Sequence, residues 1–372
     1  MSSAPRNTAP AVCHVHKFGG SSLADAAHIQ ALPPLIGAAP RSRVVVVSAM
    51  SGTTNALVAL ANEATANTDW APAWSALRER HLQAATTLDP DGRHGLLAAI
   101  DADFSDLQAD LSALAAGSDD PEMHGARVHG LGEVASSRLV QAALGGRPNG
   151  WLRLDARDVL VVHAGEMGVG VDWDASRANL NAWRAAHAEA TCLVVTGFVA
   201  CDAQQRATTL GRNGSDYSAA IFANLFDADE LTIWTDVDGV LSADPRLVPD
   251  AVCLPLMSYA EACELAYFGA KVLHPQTMAP VQMRGIPLRI RNTLNPSAPG
   301  TLIVAESDPD GAPVKGLTLV RDMAVLELVG NGMVGVPGTA ERLFAALHHA
   351  GVSVTMISQG SSEHSICCIV RA

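Results

Sequence analysis

Only three of the 25 cationic side chains in this 372-residue chain are lysines, Lys17, Lys271 and Lys315. An ammonium is a compact, hydrated point charge and a guanidinium a planar fork, so an arginine-biased chain keeps lysine where the fork does not fit. Lys17 opens Lys17-Phe-Gly-Gly-Ser-Ser22, directly after an apolar run and ahead of a helical segment that starts at Leu23. Gly19 and Gly20 let backbone N–H groups approach an anion at a helix N-terminus, with Lys17 and Ser21 beside them on an exposed loop. A phosphate group suits such a turn.

A denser constellation follows in Thr209-Leu-Gly-Arg-Asn-Gly-Ser-Asp-Tyr-Ser218. Arg212, Ser215 and Asp216 share a glycine-bracketed loop ahead of a helix, which suits a zwitterion: arginine for its carboxylate, aspartate for its ammonium. Ser215 or Asp216 could equally serve as the helix N-cap. The run Leu231-Thr-Ile-Trp-Thr-Asp-Val-Asp-Gly239 reads as a strand that closes in two acids, where open α/β sheets bind ligands, and such carboxylates can hold Mg²⁺ through water. Lys271, in Tyr267-Phe-Gly-Ala-Lys-Val-Leu-His-Pro275, is a second isolated cation able to neutralise a phosphoryl group. His274 precedes a proline and reads as structural. The P-loop pattern and the H-R-D and D-F-G signatures are missing, so neither familiar phosphoryl-transfer architecture applies.

Apolar runs at 12–16, 43–48, 159–162, 192–196, 231–235 and 286–290 read as strands buried on both faces of a parallel sheet. Helical patterns separate them. The clearest is the stripe Ile100, Phe104, Leu107, Leu111 and Leu114, with Asp101, Asp103, Asp106 and Asp110 off it. The alternation predicts a three-layer α/β/α sandwich with a mostly parallel central sheet. A turn-rich close at 295–300 and a polar stretch at 306–313 mark a boundary, after which a strand at 324–329, a helix at 340–349 and strands at 352–358 and 365–370 form a smaller α+β unit. That β-α-β-β order is the front of a ferredoxin-like unit. Its Gly330-Asn-Gly-Met-Val-Gly335 fits G-x-G-x-x-G but reads as a tight turn, since no acid follows the next strand to hold a ribose.

Charge and composition narrow the classes further. A formal net charge of −13 without a basic run disfavours nucleic acid and anionic membranes. Apolar residues make up 48% and mean hydropathy is +0.17, which excludes general disorder, and no apolar run reaches bilayer length. The start, MSSAPRNTAP, has no signal-peptide core, and seven cysteines without a C-x-x-C spacing suggest reduced thiols; the expected compartment is the cytoplasm.

Taken in order, KFGGSS at 17–22, SAMSGTTN at 48–55, GE at 132–133, TLGRNGSDYSAA at 209–220, WTDVDGV at 234–240, DPR at 244–246 and FGAKVLHP at 268–275 resemble aspartokinases of the amino acid kinase family. The tail, with VKG, GTAERLFAAL and VTMISQGSSEHSI, looks like the regulatory ACT segment of such kinases, and its wording is most similar to bifunctional aspartokinase/homoserine dehydrogenases. No dehydrogenase pattern occurs in these residues. The resemblance implies an amino-acid-kinase fold over 12–304, preceded by a disordered extension at 1–11 and followed by a linker at 305–316 and a partial ACT unit at 317–372.

The implied activity is transfer of a phosphoryl group from ATP, with Mg²⁺, to the side-chain carboxylate of L-aspartate. By motif, Lys17, Lys271 and Asp216 would be catalytic, and Ser48, Thr54, Glu133, Phe198, Arg212, Ser215 and Asp216 would line the aspartate pocket. Lys17, Gly19, Gly20, Ser21, Thr235, Asp236, Arg246 and Lys271 would hold the nucleotide, with no resident metal site. Position 241 departs from the family, Leu in place of the common Tyr. Ser358, Gln359, Ser361 and Ser362 would meet an amino-acid effector, threonine suiting them best, with inhibition expected in a longer parent rather than in these 372 residues. A homodimer or higher homo-oligomer is expected. Glutamate or acetylglutamate kinases, and a non-catalytic amino-acid sensor, are the alternatives.

Overall fold

The computed structural model describes residues 13–37, 42–165, 168–268, 274–306, 314–330, 337–360 and 365–372. Two compact units divide the chain, residues 1–317 and 318–372. In the first, eight strands form one sheet: β1 (Cys13–Phe18), β2 (Ser42–Val47), β3 (Trp151–Leu154), β4 (Cys192–Thr196), β5 (Glu230–Thr235), β6 (Leu256–Ser258), β7 (Leu288–Asn292) and β8 (Thr301–Val304). Their order is β6-β8-β7-β5-β1-β2-β4-β3, and every neighbouring pair is parallel except β7 with β8. Val44 and Val46 face one side of β2 and Val45 and Val47 the other, all buried, which is why this strand shows no polar alternation.

One face carries helices α1 (Thr53–Thr65), α2 (Ala71–Leu88), α3 (Leu96–Ala115) and α4 (Pro121–Ala143); the other carries α5 (Trp173–Ala186), α6 (Gly214–Leu225), α7 (Tyr259–Tyr267) and α8 (Pro275–Gln282). This is the expected three-layer sandwich. The stripe on α3 is buried throughout. Two of its aspartates are buried as well: Asp103 takes a two-pronged contact from Arg138 of α4, at 2.6 and 2.9 Å, and Asp110 accepts from His124 at 2.7 Å and pairs with Arg127 at 3.1 Å. Periodicity places these acids beside the stripe, and only their partners on the next helix explain their burial.

The strand expected at 159–162 is not in the sheet. Val161 makes an isolated bridge to Cys201, and Val162–Gly165 pairs with Gly168–Val171 as a separate hairpin. The sheet strand is Trp151–Leu154 instead, whose apolar run is interrupted by Arg153; that guanidinium donates to Ser137 and Asp155, at 2.7 and 2.9 Å, so it tolerates a position among buried neighbours. None of the seven cysteines is in a disulfide. No helix among the described residues is long and apolar enough to cross a membrane.

The second unit is an antiparallel sheet of β9 (Met323–Val329), β10 (Val354–Gln359) and β11 (Ser365–Arg371), in the order β9-β11-β10, with helix α9 (Thr339–His349). Leu347, Ile366, Cys368 and Val370 form its core. The sequence therefore places all four elements within two residues of where they lie. The G-x-G-x-x-G turn falls at 330–335, beyond Gly330 outside the described residues, as do 1–12 and 307–313.

Candidate active site

The parallel ladder continues past its strand ends and fixes the loops there. Gly19 N donates to Trp234 O at 3.2 Å, Ser48 N to Phe18 O at 3.1 Å and Gly197 N to Val47 O at 3.0 Å. At this carboxyl edge, the usual ligand edge of open α/β sheets, lies a cavity of about 750 Å³. Its wall includes Lys17, Gly20, Ser21, Ser48, Thr54, Glu133, Phe198, Arg212, Ser215 and Asp216. Every residue assigned to the aspartate pocket is thus on one surface.

Lys17 is the penultimate residue of β1, not an exposed loop residue, and only 7% exposed. The alternation of β1 puts it on the α6 side of the sheet, where its Nζ lies 2.6 Å from Asp216 Oδ1. Asp216 stands in the first turn of α6, where a carboxylate complements the helix dipole. The turn before α6 needs Asn213 in the left-handed region, φ 58°, a conformation asparagine tolerates better than most residues. Phe198 also has positive φ, 65°, and its ring packs where a Cβ on Gly214 would collide at 2.6 Å. Glycine at 214 and the strained Phe198 therefore set the loop and the helix start together.

Glu133 reaches the cavity from α4. Gly130 and Gly132 bring that helix close: a Cβ on the first would meet Val199 Cγ1 at 2.3 Å, and on the second Ala49 Cβ at 2.5 Å. The carboxylate is 3% exposed, Ser215 Oγ donates to its Oε1 at 3.2 Å, and Oε2 is buried without a hydrogen-bond partner among the described residues. Burial pushes its pKa up to about 7, against the lowering effects of the backbone at Ala49 and Glu133, then of Ser215 and Lys17. A buried oxygen still lacking a donor is suited to receive an ammonium group.

His129, one turn before Glu133 on α4, also lines the cavity, and burial holds its pKa below the ordinary imidazole value. Its four-residue spacing from Glu133, legible in the sequence, puts both side chains on one face of α4.

The profile of the amino acid kinase family matches residues 13–292. The chain belongs to that family. An ACT domain profile matches residues 326–372. The chain is 42% identical over 369 residues to the bifunctional aspartokinase/homoserine dehydrogenase 1, chloroplastic, of Arabidopsis thaliana, covering 96% of this chain and 40% of that protein. It is 32% identical to aspartokinase 3, chloroplastic, of the same plant, covering 95% and 63%. A solved structure of E. coli aspartokinase III in complex with aspartate and ADP superposes with a TM-score of 0.77 at 28% identity, covering 97% of this chain and 79% of that one. The chain thus spans about two fifths of the length of the bifunctional relatives it matches.

The remaining candidate residues lie apart from the cavity wall. Gly19 forms the turn after β1, and a Cβ there would lie 3.4 Å from Lys17 Nζ, so glycine leaves the space over the ammonium open to an anion. Thr235 and Asp236 follow β5, with Thr235 Oγ1 donating to Asp236 Oδ1 at 3.2 Å. Arg246 is exposed and tied to Asp244 at 3.0 and 2.6 Å. Asn292 and Asn295, which the motifs do not flag, donate to Asp238 Oδ1 at 2.8 and 3.1 Å. Among the described residues no group of three or more His, Cys, Asp or Glu is placed to hold a metal ion. Lys271, Ser361 and Ser362 lie outside the described residues, while Ser358 and Gln359 end β10 on exposed positions.

Proposed function

We propose that this chain is an aspartate kinase, transferring the γ-phosphoryl group of ATP to the side-chain carboxylate of L-aspartate to give 4-phospho-L-aspartate, the first step towards lysine, threonine and methionine. The observation that carries the reading is one cavity holding an ion-paired lysine, an arginine and a buried carboxylate oxygen without a donor. The names of the relatives and the aspartate and ADP bound to E. coli aspartokinase III support the same substrates.

Arg212 takes the α-carboxylate and Glu133 the ammonium, while Ser48, Thr54, Phe198 and Ser215 shape the rest of the pocket. Only the side chain of aspartate is then left facing phosphorus. A carboxylate is already nucleophilic at neutral pH, so its oxygen attacks the γ-phosphorus as the bond to the ADP oxygen breaks, and no proton has to move. Catalysis reduces to alignment and charge neutralisation. Lys17, with the turn at Gly19, Gly20 and Ser21, faces the transferring group, and Asp216 holds Lys17 in place. Thr235, Asp236, Arg246 and Lys271 make up the nucleotide side. Mg²⁺ bound with the nucleotide would supply neutralising charge at its phosphate oxygens, and Asp236 would be the carboxylate able to hold it through water.

In the C-terminal unit, Ser358, Gln359, Ser361 and Ser362 are assigned to an amino-acid effector, threonine, and the protein acts as a homodimer or larger homo-oligomer. The deciding measurement is ADP release from ATP with aspartate, glutamate or acetylglutamate as acceptor, each with and without threonine. Turnover with aspartate alone supports the assignment. Preference for another acceptor, or aspartate binding without ADP release, overturns it in favour of a different amino-acid kinase or a sensor.

A further inference from the structure

The third lysine, Lys315, has no part in the chemistry above. Its Nζ lies 2.9 Å from Oε1 and 3.0 Å from Oε2 of Glu261, and its side chain is only 18% exposed. Two residues on, Leu317 N donates to Ser242 O at 2.8 Å. Between them, a Cβ on Gly316 would lie 3.1 Å from Ser242 O and 3.6 Å from Leu265 Cδ1. Residues 314–317 therefore thread between the loop that carries Ser242 and helix α7.

One wall of that slot leads to the candidate nucleotide residues. Ser242 closes the base of the loop after β5: its N donates to Val252 O at 2.8 Å, its Oγ accepts from Val252 N at 3.0 Å, and Leu241 bridges Cys253. Asp236 precedes this base, and Arg246 lies within the loop. Glu261 closes the capping box that starts α7, accepting from Ser258 N at 2.7 Å.

We propose that residues 314–317 are a clamp that holds the loop after β5 and helix α7 in register, with Lys315 as a positioning residue for ATP. This rests on the assignment of Asp236 and Arg246 to the nucleotide. Lys315 has no direct role in the reaction; it removes freedom from two segments that nucleotide binding would otherwise have to order. Its loss weakens nucleotide binding and leaves the aspartate cavity intact.

The test uses the full 372-residue chain with Lys315→Met, which keeps the stem and removes the charge, and Glu261→Gln, which keeps the capping box. Calorimetry with ADP and steady-state kinetics give the readouts. In both variants the Kd for ADP and the KM for ATP rise about fivefold, while kcat and the KM for aspartate stay within about twofold. Lys315→Arg, which retains the charge, stays near the unaltered chain in every parameter. Unchanged ADP affinity in both variants, an equal rise of both KM values, or no ADP binding by the unaltered chain overturns the clamp. ADP binding without turnover of aspartate sinks the substrate assignment alone.

Discussion

Lys17 Nζ and Asp216 Oδ1 lie 2.6 Å apart, joining the end of the first strand to the first turn of α6 across 199 positions of sequence. The lysine assigned to the phosphoryl group is therefore held in place by a carboxylate that shares its charge. Such fixed positioning suits the proposed reaction, which is governed by alignment and electrostatics.

Lys17→Ala is expected to lower both kcat and Tm. Turnover falls below about a tenth of the parent value, more than 1.4 kcal/mol of barrier, and the unpaired Asp216 costs about 1–3 kcal/mol of stability. Adding Asp216→Asn restores Tm but not turnover. Recovery of turnover in the double variant would assign Lys17 a purely structural role.

Arg212→Lys should raise the KM for aspartate about tenfold with kcat nearly kept, because a point charge cannot reproduce a two-pronged carboxylate contact. An unchanged KM rejects the assignment. The other arginines near the end of the sheet offer no substitute: Arg289 is held by Glu230 at 3.1 and 3.2 Å, and Arg291 stacks over Trp234.

Glu133 makes stability and binding respond oppositely to pH. Its folded pKa, about 7, exceeds its ordinary value of 4.5 through burial, so the native state holds a proton that the unfolded chain has lost between these pH values. Native stability from this group is therefore present below about pH 4.5 and declines as pH rises towards 7, by about 3 kcal/mol at most. Recognition of the ammonium needs the carboxylate, so the KM for aspartate falls as pH rises through 7. Glu133→Gln is expected to raise Tm at pH 8, to raise KM, and to flatten the pH dependence of KM; a profile as steep as the parent's would show that another group titrates.

Gly132→Ala tests how α4 delivers Glu133. The new methyl would overlap Ala49 Cβ and press on Thr53 Cγ2 at 3.0 Å, so the helix must shift. A loss of about 1–3 kcal/mol in thermal or denaturant unfolding is expected, together with a higher KM for aspartate. Parent-like kinetics would mean that the cavity tolerates the displacement.

Much of this architecture is legible locally. Strands such as Cys192–Thr196 stand out because both faces of the sheet are covered, and α3 because one stripe must be apolar. The turn after β1 and the loop before α6 show through their glycines, which only backbone geometry and close approach require. Ser48 and Phe198 follow strands, Thr54 lies in the first turn of α1 and Arg212 precedes α6, so all four converge at one sheet edge.

What sequence could not decide depends on residues distant in the chain. Lys17 reads as a loop lysine until Asp216 is placed against it, and the 159–162 run reads as a sheet strand until Arg153 finds partners that let Trp151–Leu154 take that place. Glu133 is one acid among 38 in the sequence; its pKa is set by the water that packing removes, through Gly130 and Gly132 against Val199 and Ala49. Residue type and spacing determine which groups can do chemistry, because backbone conformation is local. Desolvation and ion pairing are sums over neighbours in space, so only the tertiary structure decides their charge and partners.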